Sequence, residues 1–110
     1  MVSKHIHVGR IFTESGWIDN AIATIGANGN ILAVSAADNG RGAPNDLTLM
    51  PALIDTHIHG VAGADVMDGT HDALNTMSRY LSQHGVGAFL ATTVTGEHHD
   101  IERALAQVRD

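Results

Sequence analysis

Eight histidines occur in the chain, and two of them stand where they could do chemistry. In the run Met50-Pro51-Ala52-Leu53-Ile54-Asp55-Thr56-His57-Ile58-His59-Gly60, an apolar segment ends in a histidine pair one residue apart. Side chains alternate faces along a strand, so His57 and His59 are expected to share one face while Ile58 takes the other. Two imidazoles on one face at the carboxyl end of a buried strand can hold a divalent metal ion. Asp55 falls on that face too, one step back, where it could orient a ligand by hydrogen bonding. The competing reading is a half-exposed strand with histidines on its wet side. The apolar prefix Ala52-Leu53-Ile54 and the glycine-rich sequel favour the metal.

The same tripeptide spacing occurs at His5-Ile6-His7, where context differs. No apolar run precedes it, no glycine turn follows it, and Lys4 is its neighbour. His5 and His7 are therefore expected on the solvent face of an edge strand, with Ile6 facing in. His98 and His99 fall where a helix begins; adjacent helix positions do not face one another, so both are expected to be solvated.

Two rhythms organise the elements that must position these residues. Residues 1–50 read as β-structure. Ile6, Val8, Ile11 and Phe12 mark one strand; Trp17-Ile18 and Ala21–Ile25 mark a second; Ile31–Val34 leaves a turn at Asn28-Gly29-Asn30. A polar, glycine-rich connection spans 38–46, and Leu47–Met50 resumes extended structure. From Pro51 the pattern changes. An apolar strand over 52–58 leads into a glycine-rich loop over 60–69, and Thr70 is placed to cap a helix running to about His84. Ala73, Leu74, Met77, Tyr80 and Leu81 form the stripe of that helix. Gly85 stands where helices often stop. Val86–Val94 reads as a second buried strand, and a helix over 98–108 presents Ile101, Ala104, Leu105 and Val108. Strand, helix, strand, helix predicts parallel pairing with a right-handed crossover. Such sheets need both faces covered, which two strands and two helices cannot provide.

Composition removes several classes of function. A formal charge of −6 argues against a nucleic-acid surface, because phosphate binding needs clustered cations. The basic residues Lys4, Arg10, Arg41, Arg79, Arg103 and Arg109 are scattered. No apolar run approaches the roughly 20 residues of a membrane helix, and the first residues lack a signal-peptide core. Without cysteine there are no disulfides and no thiolate metal sites. A soluble cytoplasmic protein is the expectation.

The pattern Pro-x-Leu-Ile-Asp-x-His-x-His-Gly, after some fifty residues of β-structure, resembles the opening of a metal-dependent amidohydrolase. More narrowly, His57-Ile58-His59-Gly60-Val61-Ala62-Gly63-Ala64-Asp65-Val66-Met67-Asp68-Gly69 is similar to the N-acetylglucosamine-6-phosphate deacetylase family, and Thr92-Thr93-Val94-Thr95-Gly96 fits it as well. Ala52 departs from that pattern, which usually has glycine after the proline. The resemblance covers essentially all of the chain but only the first third or so of such an enzyme. It implies an α/β protein: part of a small β-sandwich over 1–50, then the first two βα units of a (β/α)₈ TIM-type barrel over 51–110, truncated. Barrel chemistry sits at the carboxyl ends of the strands, where His57 and His59 would be metal ligands and Asp55 their supporting partner.

The implied reaction is hydrolysis of N-acetylglucosamine 6-phosphate to glucosamine 6-phosphate and acetate. It would use one or two divalent ions (Zn, or Fe, Mn or Co) in a complete enzyme expected to be a homo-oligomer. Family members vary at the histidine pair, and retention of both is compatible with an additional metal position. The catalytic carboxylate, the remaining ligands and most phosphate-binding groups would lie beyond Asp110. Dihydroorotase-like and deaminase-like enzymes share the D-x-H-x-H strand, although dihydroorotases usually continue with arginine-proline-glycine, where Gly60-Val61-Ala62-Gly63 stands here. Phosphoesterases with a similar motif tend to carry it at the amino terminus. A non-catalytic truncated remnant is the alternative from a different class.

Overall fold

The computed structural model describes residues 4–38 and 46–109, and the chain divides into two compact units, 1–51 and 52–110. In the first, β1 (Lys4–Thr13), β2 (Gly16–Ile25) and β3 (Ile31–Ala36) form an antiparallel meander. The short β4 (Thr48–Leu49) adds to β1 in parallel, giving the order β3-β2-β1-β4. The expected hairpin at Asn28-Gly29-Asn30 is present. The Gly26 amide donates to the Asn30 carbonyl at 2.8 Å, and the Asn30 amide donates to Asn28 Oδ1 at 3.2 Å. Val8, Ile11, Ala21 and Ala23 make the core of this sheet. Val8 and Ile11 are three apart, which regular alternation would put on opposite faces. The phase changes between the Val8–Ala21 and Arg10–Asp19 pairs, where Asn20 takes φ +48°.

β1 is interior only at Arg10 and Ile11, where β4 pairs on its other side; among the described residues the stretch with His5 and His7 pairs with β2 alone, as expected of an edge. His5 is exposed and His7 half-buried, and each ring meets a side chain of β2: His5 Nδ1 lies 3.1 Å from Thr24 Oγ1, and His7 Nε2 lies 2.8 Å from Asn20 Oδ1. The connection read over 38–46 falls mostly on residues 39–45, outside the described residues.

The second unit runs β5 (Leu53–Ile58), β6 (Gly60–Val61), β7 (Ala64–Asp65), a 3₁₀ turn (Val66–Asp68), α1 (His71–Gln83), β8 (Val86–Ala91) and α2 (His98–Arg109). β5 and β8 pair in parallel across the intervening helix, as the alternation predicted. Thr70 caps α1, its hydroxyl accepting from the Ala73 amide at 3.2 Å, and Gly85 follows the helix with φ +82°. Ala73, Met77 and Leu81 are buried along the expected stripe, while Tyr80 is 39% exposed and stacks on His84. Val66, Met77 and Ala104 form the core, with Ile58, Val61, Phe89 and Ala91 packed against it.

Three expectations are corrected. The segment 60–69 is not a loop: β6 and β7 form a hairpin, and Asp65 and Asp68 make a reciprocal capping box around the 3₁₀ turn. The second strand ends at Ala91 rather than Val94. Neither strand is deeply buried, for Leu53, Ile54 and Leu90 are 58%, 68% and 61% exposed. A parallel pair without further strands leaves its outer edges and part of its faces bare.

Ala52 acquires a structural consequence. A Cβ placed on Gly87 would meet the Ala52 Cβ at 2.6 Å, closer than two methyl groups tolerate. The entry to β5 and the start of β8 thus share space for one side chain. Gly87→Ala is expected to destabilise the unit by about 1–3 kcal/mol, the usual cost of overpacking. Ala52→Gly in the same chain should recover most of that loss. Urea unfolding of the single and double variants checks this; additive losses would show that the two positions do not collide.

Candidate metal centre

His57 lies on β5 and His59 one residue beyond it. Their Nε2 atoms approach to 3.2 Å, with ring centroids 4.9 Å apart and planes near perpendicular. The rings therefore lie on one side of the chain, and Ile58 turns away to pack against the core of the unit. Alternation along the strand explains this division.

Three hydrogen bonds fix the backbone here. The His57 amide donates to Asp55 Oδ1 at 3.0 Å. The Thr92 amide donates to the Ile58 carbonyl at 2.9 Å, and the Val66 amide to the His59 carbonyl at 2.8 Å. Asp55 thus holds the peptide of His57, whereas the sequence suggested a contact with an imidazole. The ring contact comes instead from Thr92, whose carbonyl lies 3.0 Å from His59 Nδ1. Residue types gave no notice of that partner, since every residue has a carbonyl. The Thr92 hydroxyl donates to Leu90 O at 3.0 Å.

The donor set fits part of a metal site. Nitrogens 3.2 Å apart, each about 2.05 Å from one ion, would subtend roughly 100°, close to tetrahedral. A complete site needs three or four protein donors, and among the described residues no group of three His, Cys, Asp or Glu side chains converges. Asp65 and Asp68 are committed elsewhere: Asp65 Oδ1 accepts from the Met67 amide at 2.8 Å, and Asp68 Oδ2 from the Asp65 amide at 2.9 Å. His98 pairs with Glu102 on the exposed face of α2, in agreement with a solvated position.

The turn after the pair is tight. A Cβ on Gly60 would lie 2.4 Å from the Ala64 carbonyl oxygen, so only glycine lets β7 approach.

The chain is 48% identical over 103 residues to the N-acetylglucosamine-6-phosphate deacetylase of Vibrio furnissii, covering 90% of this chain and 26% of that protein. The chain is similar to the N-acetylglucosamine-6-phosphate deacetylases. The Bacillus subtilis (strain 168) enzyme of that name is 48% identical over 68 residues, 62% of this chain and 17% of that protein. An N-acetylgalactosamine-6-phosphate deacetylase of Escherichia coli is 39% identical over 99 residues, covering 90% of this chain and 26% of that protein. No protein-family model matches the chain. In fold, the crystal structure of the Mycobacterium smegmatis deacetylase superposes with a TM-score of 0.78 at 23% identity, covering 94% of this chain and 30% of that one. The chain spans about a quarter or less of the length of the curated relatives it matches.

The hairpin that follows the histidines carries a testable strain. Its central residues Ala62 and Gly63 both have positive φ, +56° and +77°, the pattern of a type I′ turn. Alanine costs about 1–2 kcal/mol in that region, while asparagine tolerates it. Ala62→Asn is expected to stabilise the unit by about 1 kcal/mol, read as a higher urea midpoint. An unchanged or lower midpoint would contradict the turn assignment.

Proposed function

We propose that this chain is the N-terminal part of a metal-dependent amidohydrolase that hydrolyses N-acetylglucosamine 6-phosphate to glucosamine 6-phosphate and acetate. The observation that carries this reading is 48% identity over 103 residues to a deacetylase of that specificity. The convergent Nε2 atoms of His57 and His59 give it a chemical basis. The N-acetylgalactosamine-6-phosphate deacetylase, at 39% identity, supports a second reading in which the sugar is the epimer and the amide chemistry is unchanged.

In this reading residues 51–110 open a (β/α)₈ barrel, and 1–50 contribute strands to a β-sandwich. Support comes from the parallel β5–β8 pair with α1 between its strands. The exposed Leu53, Ile54 and Leu90 also suit strands that are continued by neighbours. An open groove of about 340 Å³, lined by Leu74, Phe89, Leu90, Ala91 and Val108, offers a further apolar surface for them. The complete protein is read as a cytoplasmic homo-oligomer; among the described residues no helix is long and apolar enough to cross a membrane.

His57 and His59 would hold a divalent ion through Nε2, at the strand end where barrel chemistry is assembled. When bound, such an ion lowers the pKa of water and polarises the amide carbonyl. Asp55 keeps the His57 peptide in place, and Thr92 keeps the His59 ring in place. A carboxylate expected beyond Asp110 would carry the proton to the leaving amine. Residues 1–110 therefore carry the start of a site.

A metal-supplemented assay of residues 1–110 beside the full-length protein tests this. The short chain is expected to show no enzymatic turnover of N-acetylglucosamine 6-phosphate, and the full-length protein to be active. Replacing His57 and His59 by alanine should lower its metal affinity. Turnover by residues 1–110, abolished by His59→Ala, would contradict the reading.

A further inference from the structure

Beyond the histidines the chain turns back on itself, and the turn meets the backbone of His59 and Gly60 at two points. The Val66 amide donates to the His59 carbonyl at 2.8 Å. Asp65 lies over the next residue, where a Cβ on Gly60 would stand 3.0 Å from Asp65 Oδ2. Val66 is itself buried with Met77 and Ala104, so the bond from its amide ties the His59 backbone to the core of the unit. The direction of that amide is set by the 3₁₀ turn Val66–Asp68 that it opens.

Such a turn holds itself weakly, because its internal hydrogen bonds are few and poorly aligned. Here the Gly69 amide donates to the Val66 carbonyl at 3.2 Å, and two carboxylates supply the rest. Asp65 Oδ1 accepts from the Met67 amide at 2.8 Å, and Asp68 Oδ2 accepts from the Asp65 amide at 2.9 Å. Each aspartate thus fixes the backbone at the other end of the turn.

We propose that Asp65 and Asp68 are positioning residues of the metal site: their reciprocal cap aims the Val66 amide, and that amide seats His59. This rests on the reading of His57 and His59 as metal ligands. In this role neither carboxylate touches the ion, and each works only as an acceptor for an amide hydrogen. The oxygen is therefore required and the charge is not. Asparagine offers an oxygen to the same amides. A metal ligand or a proton carrier, by contrast, needs the ionisable carboxyl group.

The test is a zinc titration of the metal-stripped full-length protein in competition with a chromophoric chelator. The binding step at the pair is the one lost when His57→Ala and His59→Ala are combined. Asp65→Ala and Asp68→Ala are each expected to weaken that step roughly ten-fold, the usual effect of losing a group that orients a ligand. Asp65→Asn and Asp68→Asn should keep the parent's zinc affinity. Urea midpoints are read alongside: an alanine variant with a lowered midpoint and unchanged zinc affinity would make the cap a purely structural device and overturn the proposal. Asparagine variants as weak as the alanine ones would make the carboxylates ligands, and would overturn it too. If Asp65→Ala does not fold, Asp68→Ala, which leaves the Met67 bond intact, is compared with Asp68→Asn to the same end. If no zinc step disappears in the combined histidine variant, the metal reading of the pair falls and the proposal with it, whereas the aspartate outcomes bear on the cap alone.

Discussion

The site depends on how β5 is pinned against β8. The Leu53 amide donates to the Gly85 carbonyl where the pair begins, and the Thr92 amide donates to the Ile58 carbonyl where it ends, both at 2.9 Å. Between these points the register shifts twice, so the ends rather than a uniform ladder fix the geometry. The second of them lies between the two histidines. A strand that slips by one residue exchanges its faces, and here that would turn Ile58 outward and send the imidazoles toward the Val66–Met77–Ala104 core.

Packing below the pair reinforces this. Ile58 anchors the peptide from the core side, the β6–β7 hairpin closes on it within three residues, and the capping box of Asp65 and Asp68 finishes the turn before α1. Each carboxylate in that segment is spent on backbone amides, a use that suits a tight chain reversal. Glycine at 60 and 87 is required by close approach, in one case to a backbone carbonyl and in the other to the Ala52 methyl. The segment is therefore ordered by local chemistry on every side of the histidines.

Much of this could be read from residue order. Alternation placed His57 and His59 together, Asn28-Gly29-Asn30 marked a hairpin, and Thr70 with the Ala73–Met77–Leu81 spacing marked a capped helix. What escaped depended on contacts between distant residues or on main-chain atoms. The parallel addition of Thr48–Leu49 covers β1 at Arg10 and Ile11, and nothing local to those residues announces that. Positive φ at Ala62 allowed a hairpin where glycines suggested a loop. The Thr92 carbonyl is a partner that no side-chain pattern reveals. Apolar content marked Leu53, Ile54 and Leu90 as buried, yet burial requires neighbours, and a two-stranded sheet supplies few.

The central claim is that His57 and His59 offer their Nε2 atoms to one ion. Crystals of the full-length protein grown with zinc, with data collected on either side of the zinc absorption edge, test it directly. The account predicts an anomalous peak about 2.1 Å from Nε2 of both residues. Zinc bound elsewhere in the protein, with both of these imidazoles outside its coordination sphere, would contradict it.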